Sequence, residues 1–201
     1  MGYLMKHSWP VWLAIGLLVG LAIGGGMWPD TPMHAVATDR VDSFAIATGP
    51  VDDETEAVYG LDFLTGTLKA AVVSNTTRVK YQAVYQANIH ADLAGVIELM
   101  NQTIRTENQG RGRGAQPRPE VQIPQNPRYM MVTGVADIRR GAVARMRPAR
   151  SLVYIAEANT GIVMAYVLPW DQAAHAANQP TAGGLTLWAA DQFTTAVLRQ
   201  P

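Results

Sequence analysis

The sequence predicts a mainly β protein: an N-terminal transmembrane helix, then a duplicated antiparallel four-stranded unit (two packed sheets or blades) with one short helix. Three observations lead to this prediction. Residues 58–73 (VYGLDFLTGTLKAAVV) return 95 positions later as residues 153–168 (VYIAEANTGIVMAYVL). Residues 11–27 contain no charged side chain. A stretch rich in glycine, proline and arginine, residues 107–127, separates the two copies.

The composition excludes several classes of protein. The chain has 201 residues, 48% hydrophobic content and a formal net charge of +0, unlike a disordered acidic tail or a nucleic-acid binder. Residues 1–100 hold five Lys and Arg against ten Asp and Glu, and residues 101–201 hold eleven against six. This uneven division favours self-association or internal docking over binding of a polyanion. The absence of cysteine excludes disulfides and thiolate metal sites.

Residues 1–29 are predicted to form a cytoplasmic tip and a membrane anchor. A helix from Trp9 to Trp28 spans roughly 30 Å, about one hydrocarbon core. Trp9, Trp12 and Trp28 near its ends are typical of membrane interfaces. Lys6 precedes the span and Asp30 follows it. We therefore expect a single pass through a bacterial inner membrane, with the N-terminus inside and the C-terminal domain in the periplasm.

Two alternatives stay open in this segment. Gly16, Gly20 and Gly24 share one helix face and would allow close packing against another helix, although glycine is also simply frequent in membrane helices. The triplet Ala35-Val36-Ala37 is typical of a signal-peptide cleavage site, so cleavage of the segment is the alternative to a retained anchor.

After a connector at residues 30–40, residues 41–198 are predicted to form one β-rich domain of two units, 41–106 and 128–198. Each unit opens with a strand that ends in Thr-Gly, at residues 44–49 and 129–134, and continues into a hairpin. In each hairpin a carboxylate precedes a Thr-Gly turn whose glycine supplies positive φ. These turn residues are Asp62, Thr65 and Gly66 in the first copy, and Glu157, Thr160 and Gly161 in the second.

The two turn carboxylates allow two interpretations. A pair of carboxylates can serve as general acid and base. Because Asp62 and Glu157 stand at equivalent turn positions, we favour one structural task performed twice, a side-chain contact to the backbone of the turn.

The segment after the first hairpin is ambiguous. Residues 79–89 alternate as a strand does, but the same letters also fit a helix. We assign a strand up to about Ile89 and a helix from Asp92 to about Thr106, with Asp92 as a possible cap. Residues 184–193 are the expected counterpart of this strand in the second unit. Residues 107–127 are expected to be an exposed loop or linker because they contain few apolar side chains.

The loop after the first strand is acidic in one unit and basic in the other. We expect these loops to be interaction sites, the acidic loop of one subunit meeting the basic loop of another, or else to be solvated without a partner. Their charged residues are Asp52, Asp53, Glu54 and Glu56 in the first unit, and Arg139, Arg140, Arg145, Arg147 and Arg150 in the second.

The letters VYGLDFLTGTL resemble the blade core of pyrroloquinoline-quinone-type β-propeller repeats. The resemblance covers two hairpins and their preceding strands. It departs from the pattern after the Thr-Gly, where such blades usually carry tryptophan and this chain has Ala70 and Ala165. Cofactor binding is therefore not carried over. The whole chain also resembles short single-pass membrane-anchored proteins of planctomycete-type bacteria, which implies the anchored topology and adds nothing about activity.

Motifs for catalysis are weak. The four histidines, His7, His34, His90 and His175, lie in separate segments without metal-ligand spacing. No serine lies in a nucleophile motif. We therefore expect a non-enzymatic envelope protein without a cofactor, whose β domain mediates self-assembly or binding to an envelope protein. The alternative is a binding module or accessory subunit that recognises a small molecule or a partner through loops at one end of the β domain.

Overall fold

A computed structural model of the chain describes residues 38–112, 116–136, 138 and 147–194. Within these residues the chain is mainly β, as predicted, with two sheets and two helices. The elements in order are β1 (Thr38–Arg40), β2 (Phe44–Pro50), β3 (Glu56–Asp62), β4 (Thr67–Val73), β5 (Tyr81–Asn88), α1 (Ile89–Gly110), β6 (Tyr129–Val135), β7 (Arg147–Glu157), β8 (Ile162–Trp170), α2 (Gln172–Ala176), β9 (Thr181–Gly184) and β10 (Thr186–Gln192).

The sheets have the strand orders β1-β2-β3-β4-β5-β9 and β10-β8-β7-β6. Each contains the predicted antiparallel four-stranded meander. We call β2 to β5 the first unit, and β6, β7, β8 and β10 the second unit. The prediction missed β1 and β9, which extend the first sheet, and β9 runs parallel to β5. The sequence of β9, Thr-Ala-Gly-Gly, has no apolar alternation by which a strand could be recognised.

The two units share the same strand register. Tyr59 pairs with Ala70 in the first hairpin, and Tyr154 pairs with Ala165 in the second, which is the same pairing 95 positions later. The first strands also agree, because Phe44 pairs with Asp62 and Tyr129 pairs with Glu157. The equivalence of positions in the two units is therefore fixed by the hydrogen-bonded ladders, independently of sequence identity.

The two units nevertheless bury opposite faces. Tyr59 is fully buried, whereas the equivalent Tyr154 is only half-buried. Conversely, Phe44 is 41% exposed, whereas the equivalent Tyr129 is 1% exposed. Two sheets related by a two-fold axis would bury the same face. The units instead stack front to back on one shared hydrophobic core.

Hydrogen bonds join the units directly. Thr133 Oγ1 donates to the carbonyl of Thr48 at 2.6 Å. The hydroxyls of Tyr59 and Ser151 lie 3.1 Å apart in the core. The backbone N–H of Arg150 donates to the carbonyl of Val51 at 3.0 Å. The main-chain bond brings the start of β7 against the end of β2.

Helix α1 begins earlier than predicted and is longer. Its cap is Asn88, whose side chain accepts from the N–H of Ala91, and not Asp92. Because the helix continues directly from β5, it has 22 residues from Ile89 to Gly110, and the prediction of one short helix was wrong. The strand assigned up to about Ile89 is confirmed as β5, and its expected counterpart is confirmed as β10.

Residues 116–127, which we call the strap, lie along helix α1 and are attached at defined points. The Asn101 side chain donates to the carbonyl of Val121 and accepts from its N–H, at 2.9 and 2.8 Å. Asn108 pairs with Arg118 in the same way, at 2.8 Å for both bonds. Asn101 and Asn108 are seven residues apart on the helix, a rise of about 10.5 Å, and Arg118 and Val121 are three residues apart in the extended strap, a length of about 9 Å. The two spacings therefore match. The predicted loop is confirmed as largely exposed, but it is not merely solvated.

Candidate functional site

The predicted turn residues lie in two equivalent hairpin turns. Asp62 Oδ1 accepts from the N–H groups of Leu64 and Thr65 at 2.8 and 3.3 Å. Gly66 and Gly161 have φ of +65° and +68°, the left-handed conformation that the turns require. The backbone contact expected of the carboxylates is therefore present in the first turn.

Glu157 makes the same contact in a buried setting. Its Oε2 accepts from the N–H and hydroxyl of Thr160, both at 2.8 Å. Its Oε1 accepts from the N–H groups of Arg128 and Asn159 at 2.9 and 3.1 Å. The side chain is fully buried, so four donors replace the water that it has lost.

In the first turn, the Asp62 carboxylate is exposed to solvent and is stabilised by hydrogen bonds from the turn. The hydrogen bond from the N–H of Leu64, followed by those from Thr65, lowers the pKa of Asp62 below its ordinary value. Asp62 and Glu157 thus accept bonds from their own turns. This occupation of their oxygens suits a structural role better than proton transfer.

The acidic and basic loops meet within one chain. Asp53 forms an ion pair with Arg150. Asp52 Oδ2 accepts from Trp170 Nε1 at 2.9 Å, and Glu54 and Glu56 are exposed. Of the basic residues, Arg147 is exposed at the start of β7, and Arg139, Arg140 and Arg145 lie outside the described residues. The pairing between subunits expected from the sequence stays a prediction.

An acidic cleft of about 530 Å³ lies at this end of the domain. Residues 52–56 form one wall, and Asn75, Gln172 and His175 contribute to the others. The His175 ring lies 4.9 Å from the Trp170 ring, and within the described part of the chain its Nδ1 is buried without a hydrogen-bond partner. Among the described residues no cluster of three or more His, Cys, Asp or Glu could hold a metal ion. The cleft suits a cationic group.

A second cavity lies on the outer face of the first unit, the side of its sheet turned away from the core. It is a groove of about 480 Å³. Phe44 and Ile46 are each 41% exposed there, and the Phe44 ring covers Gly60, where a side chain would collide with it. The apolar lining consists of Phe44, Ile46, Val58, Gly60, Ala71, Tyr81 and Val84.

The outer face of the second unit is also apolar. Met130 and Val132 on edge strand β6 are 50% and 53% exposed. Cross-strand pairing places Ala156 beside Met130 and half-buried Tyr154 beside Val132. Together with Val163, which pairs with Ala156, these residues form a continuous apolar surface.

The sequence analysis did not identify these two faces as sites. A signal was present in the strands themselves, since both alternating sets of residues in Phe44–Ala47 and Tyr129–Val132 are apolar. A strand that is apolar on both sides is expected to be covered on both sides. Among the described residues, one side of each strand is covered by the core and the other is partly exposed.

A buried polar cluster lies where helix α1 meets the second unit. The Tyr166 hydroxyl donates to Asp92 Oδ2 at 2.9 Å. The His90 ring stacks on the Tyr129 ring at 5.6 Å. Burial, followed by the nearby carboxylates, raises the pKa of both Tyr129 and Tyr166. The Tyr129 hydroxyl and His90 Nε2 are buried without a hydrogen-bond partner among the described residues. The predicted capping role of Asp92 was wrong, since Asn88 is the cap.

The predicted membrane residues lie outside the described residues. These are Trp9, Trp12 and Trp28 at the membrane interfaces, and Gly16, Gly20 and Gly24 on the helix-packing face. In the part of the chain that the structure describes, neither helix is long and apolar enough to span a bilayer.

Comparisons with protein-family models, with curated proteins and with solved structures found no match. The function is therefore argued from the surfaces described above.

Proposed function

We propose that the chain is a non-enzymatic, membrane-anchored envelope protein whose β domain binds protein partners through the outer faces of its two sheets. The observation that carries this proposal is the presence of two apolar outer faces on one small domain. Contiguous exposed apolar surface is rare on monomeric soluble proteins and typical of interaction sites.

The composition of the two faces supports this proposal. Exposed phenylalanine, isoleucine, methionine and valine stand side by side in strand register, at Phe44 and Ile46 on one face and at Met130 and Val132 on the other. Single exposed apolar residues would need no explanation. The groove is lined mainly by aromatic and aliphatic side chains, with Asp62 and Lys69 among its polar residues, and it offers a partner side chain a place to lose its hydration.

The anchored location is supported by the sequence of residues 9–28 and its flanking charges. We propose a single pass through a bacterial inner membrane, with the β domain in the periplasm. The equal register of the two units supports an origin by duplication of one four-stranded unit.

A second candidate function has its own observation. The acidic cleft beside His175 supports a binding module that recognises a cationic small molecule or a basic peptide through loops at one end of the domain. Glu54 and Glu56 line the cleft, and no hydrogen bond or ion pair of their carboxylates is seen within the described residues. Reversal of the Glu54 charge to lysine would weaken such binding and would leave the apolar faces unchanged.

The test of the principal proposal is photo-crosslinking in intact cells. A photoreactive amino acid at Ile46 or Val132 of the full chain should yield a cross-linked protein product. The matched control is Leu99 on helix α1, which is 65% exposed and lies on neither face. Products no more abundant at Ile46 and Val132 than at Leu99 would contradict the proposal.

A further inference from the structure

The outer faces of the two units are equivalent to the inner faces that pack together inside the chain. On the first unit, exposed Phe44 and Ile46 correspond to Tyr129 and Met131, which are 1% and 4% exposed in the core, where Tyr129 also stacks on His90 of helix α1. On the second unit, exposed Met130 corresponds to Ala45, which is 1% exposed. The residues of each exposed face therefore occupy strand positions that, in the other unit of the same chain, are buried in the core.

From this relationship we propose that copies of the chain stack head to tail. The outer face of the second unit of one copy packs on the outer face of the first unit of the next, repeating the packing between the units within a chain. This inference rests on the proposed function and names its partner as a second copy.

The interface is heterologous, because inside the chain an inner face of the first unit meets the opposite face of the second unit. The face that β6 leaves open through Met130 and Val132 is equivalent to the one that β2 buries through Ala45 and Ala47. The outer face of the second unit is therefore expected to bind the face that carries Phe44 on another copy, and not the outer face of another second unit. Such contacts form closed rings where the rotation between copies allows it, and filaments otherwise.

The hydroxyl contact between the units has an equivalent across the proposed interface. Inside the chain Tyr59 meets Ser151. Tyr154 of the second unit is equivalent to Tyr59. Glu56 of the first unit is equivalent to Ser151, because Glu56 pairs with Pro50 and Ser151 pairs with Val135, the residue equivalent to Pro50. Tyr154 is half-buried and Glu56 is exposed. Across two copies the Tyr154 hydroxyl would donate to the Glu56 carboxylate.

The surroundings of this tyrosine are also repeated. A Cβ at Gly49 would lie 3.4 Å from Tyr59 Cε2, and a Cβ at Gly134 would lie 3.2 Å from Tyr154 Cε2. The same Cβ at Gly49 would lie 2.8 Å from Ser151 Oγ. Among the described residues, no side chain other than Tyr154 lies within 4 Å of a Cβ at Gly134. The position beside Gly134 that is equivalent to the position of Ser151 beside Gly49 is therefore available to Glu56 of the next copy.

The main-chain bond between the units has an equivalent as well. Within the first unit the N–H of Val51 donates to the carbonyl of Thr55, and within the second the N–H of Ala136 donates to the carbonyl of Arg150. Val51 is therefore equivalent to Ala136, and Thr55 is equivalent to Arg150. The hydrogen bond from the Arg150 N–H to the Val51 carbonyl would be repeated between copies as a bond from the Thr55 N–H to the Ala136 carbonyl of the neighbour. Thr55 lies in the acidic loop, so this loop would reach the second unit of the neighbour.

The experiment uses the absence of native cysteine. The full chain in mild detergent carries Ile46→Cys with one affinity tag, and a second preparation carries Val132→Cys with another tag. After mixing, a short bis-maleimide should give a cross-linked dimer with both tags. Each preparation alone should give little, because identical faces do not meet. The matched control mixes Ile46→Cys with Leu99→Cys.

Charge substitution gives an independent readout. Val132→Glu would place an unpaired charge in the interface, so the apparent association constant should fall by about tenfold or more. Leu99→Glu should leave the association constant unchanged, because Leu99, which is 65% exposed against 53% for Val132, lies on neither face. Equal linking of Ile46→Cys to itself, or no product with both tags, would overturn the head-to-tail arrangement. If photo-crosslinks from Ile46 to another protein persist in that case, the proposed function stands and only the identity of the partner fails.

Discussion

Tyr59 and Tyr154 occupy the same position in the two units, but Tyr59 is fully buried and Tyr154 is half-buried. This relationship summarises the architecture. Two units with one register bury opposite faces, so the domain retains one open face at each end of the stack. The core forms between one face of the first unit and the opposite face of the second. The same kind of contact can therefore be added at either end of the stack.

Tyr59→Phe should lower the free energy of unfolding, because it removes the hydroxyl contact to buried Ser151. We expect a loss of about 1 kcal/mol, the usual net value of a buried neutral hydrogen bond. Urea unfolding of the detergent-solubilised chain measures it. Tyr154→Phe is the matched control and should leave the unfolding of a dissociated chain nearly unchanged. Equal losses for the two variants would contradict the difference in burial.

Glu157→Gln should be strongly destabilising. An amide in place of the carboxylate presents a donor to groups that are themselves donors, and the site is fully buried. Hydrogen bonds to charged groups contribute about 1.5–3 kcal/mol each, so we expect a loss of at least that size in thermal or urea unfolding. Asp62→Asn makes the same change in the exposed turn and should cost clearly less.

Asn101→Ala should release the strap from helix α1. It removes both hydrogen bonds to Val121 and leaves the backbone groups of Val121 without these partners. Limited proteolysis should then cut within residues 116–127 much faster than in the unmodified chain. Asn108→Ala removes an equivalent but exposed pair and should accelerate cleavage less. An unchanged cleavage rate for Asn101→Ala would show that other contacts hold the strap.

Alkaline pH should unfold the domain. Burial raises the pKa of Tyr59 from 10.0 to about 12, and it also raises the pKa values of Tyr129 and Tyr166. A pKa that is higher in the folded state contributes stability that is present below pH 10 and lost as the pH rises towards 12 and beyond. Tyrosinate absorbance should therefore rise in two steps, the second coinciding with loss of circular dichroism. Tyr59→Phe should reduce the second step.

The strands and turns could be predicted because their signals are local. The two Thr-Gly turns fixed the hairpins, and the alternation after Lys80 and after Gly184 marked the fourth strands. The inward face could not be predicted, because Phe44–Ala47 and Tyr129–Val132 are apolar at both alternating sets of positions. Period two tells which residues share a face, but not which face meets the core.

Other features depend on contacts between distant residues. Asn101 and Asn108 looked like ordinary helix-surface residues, and their pairing with the strap closes loops of 20 and 10 residues. The parallel strand β9 is placed by its pairing with β5, a strand about 98 residues earlier in the chain. The cap of α1 was misplaced because the chain turns from strand to helix at Asn88 without an intervening loop.

The central claim is that open front and back faces meet between copies. Electron cryomicroscopy of the assembly extracted in mild detergent tests it most directly. The account predicts particles in which Tyr154 of each copy lies beside Glu56 of the next, with every domain in the same orientation along the stack. Monomeric particles, or a two-fold dimer that joins two identical faces, would contradict it.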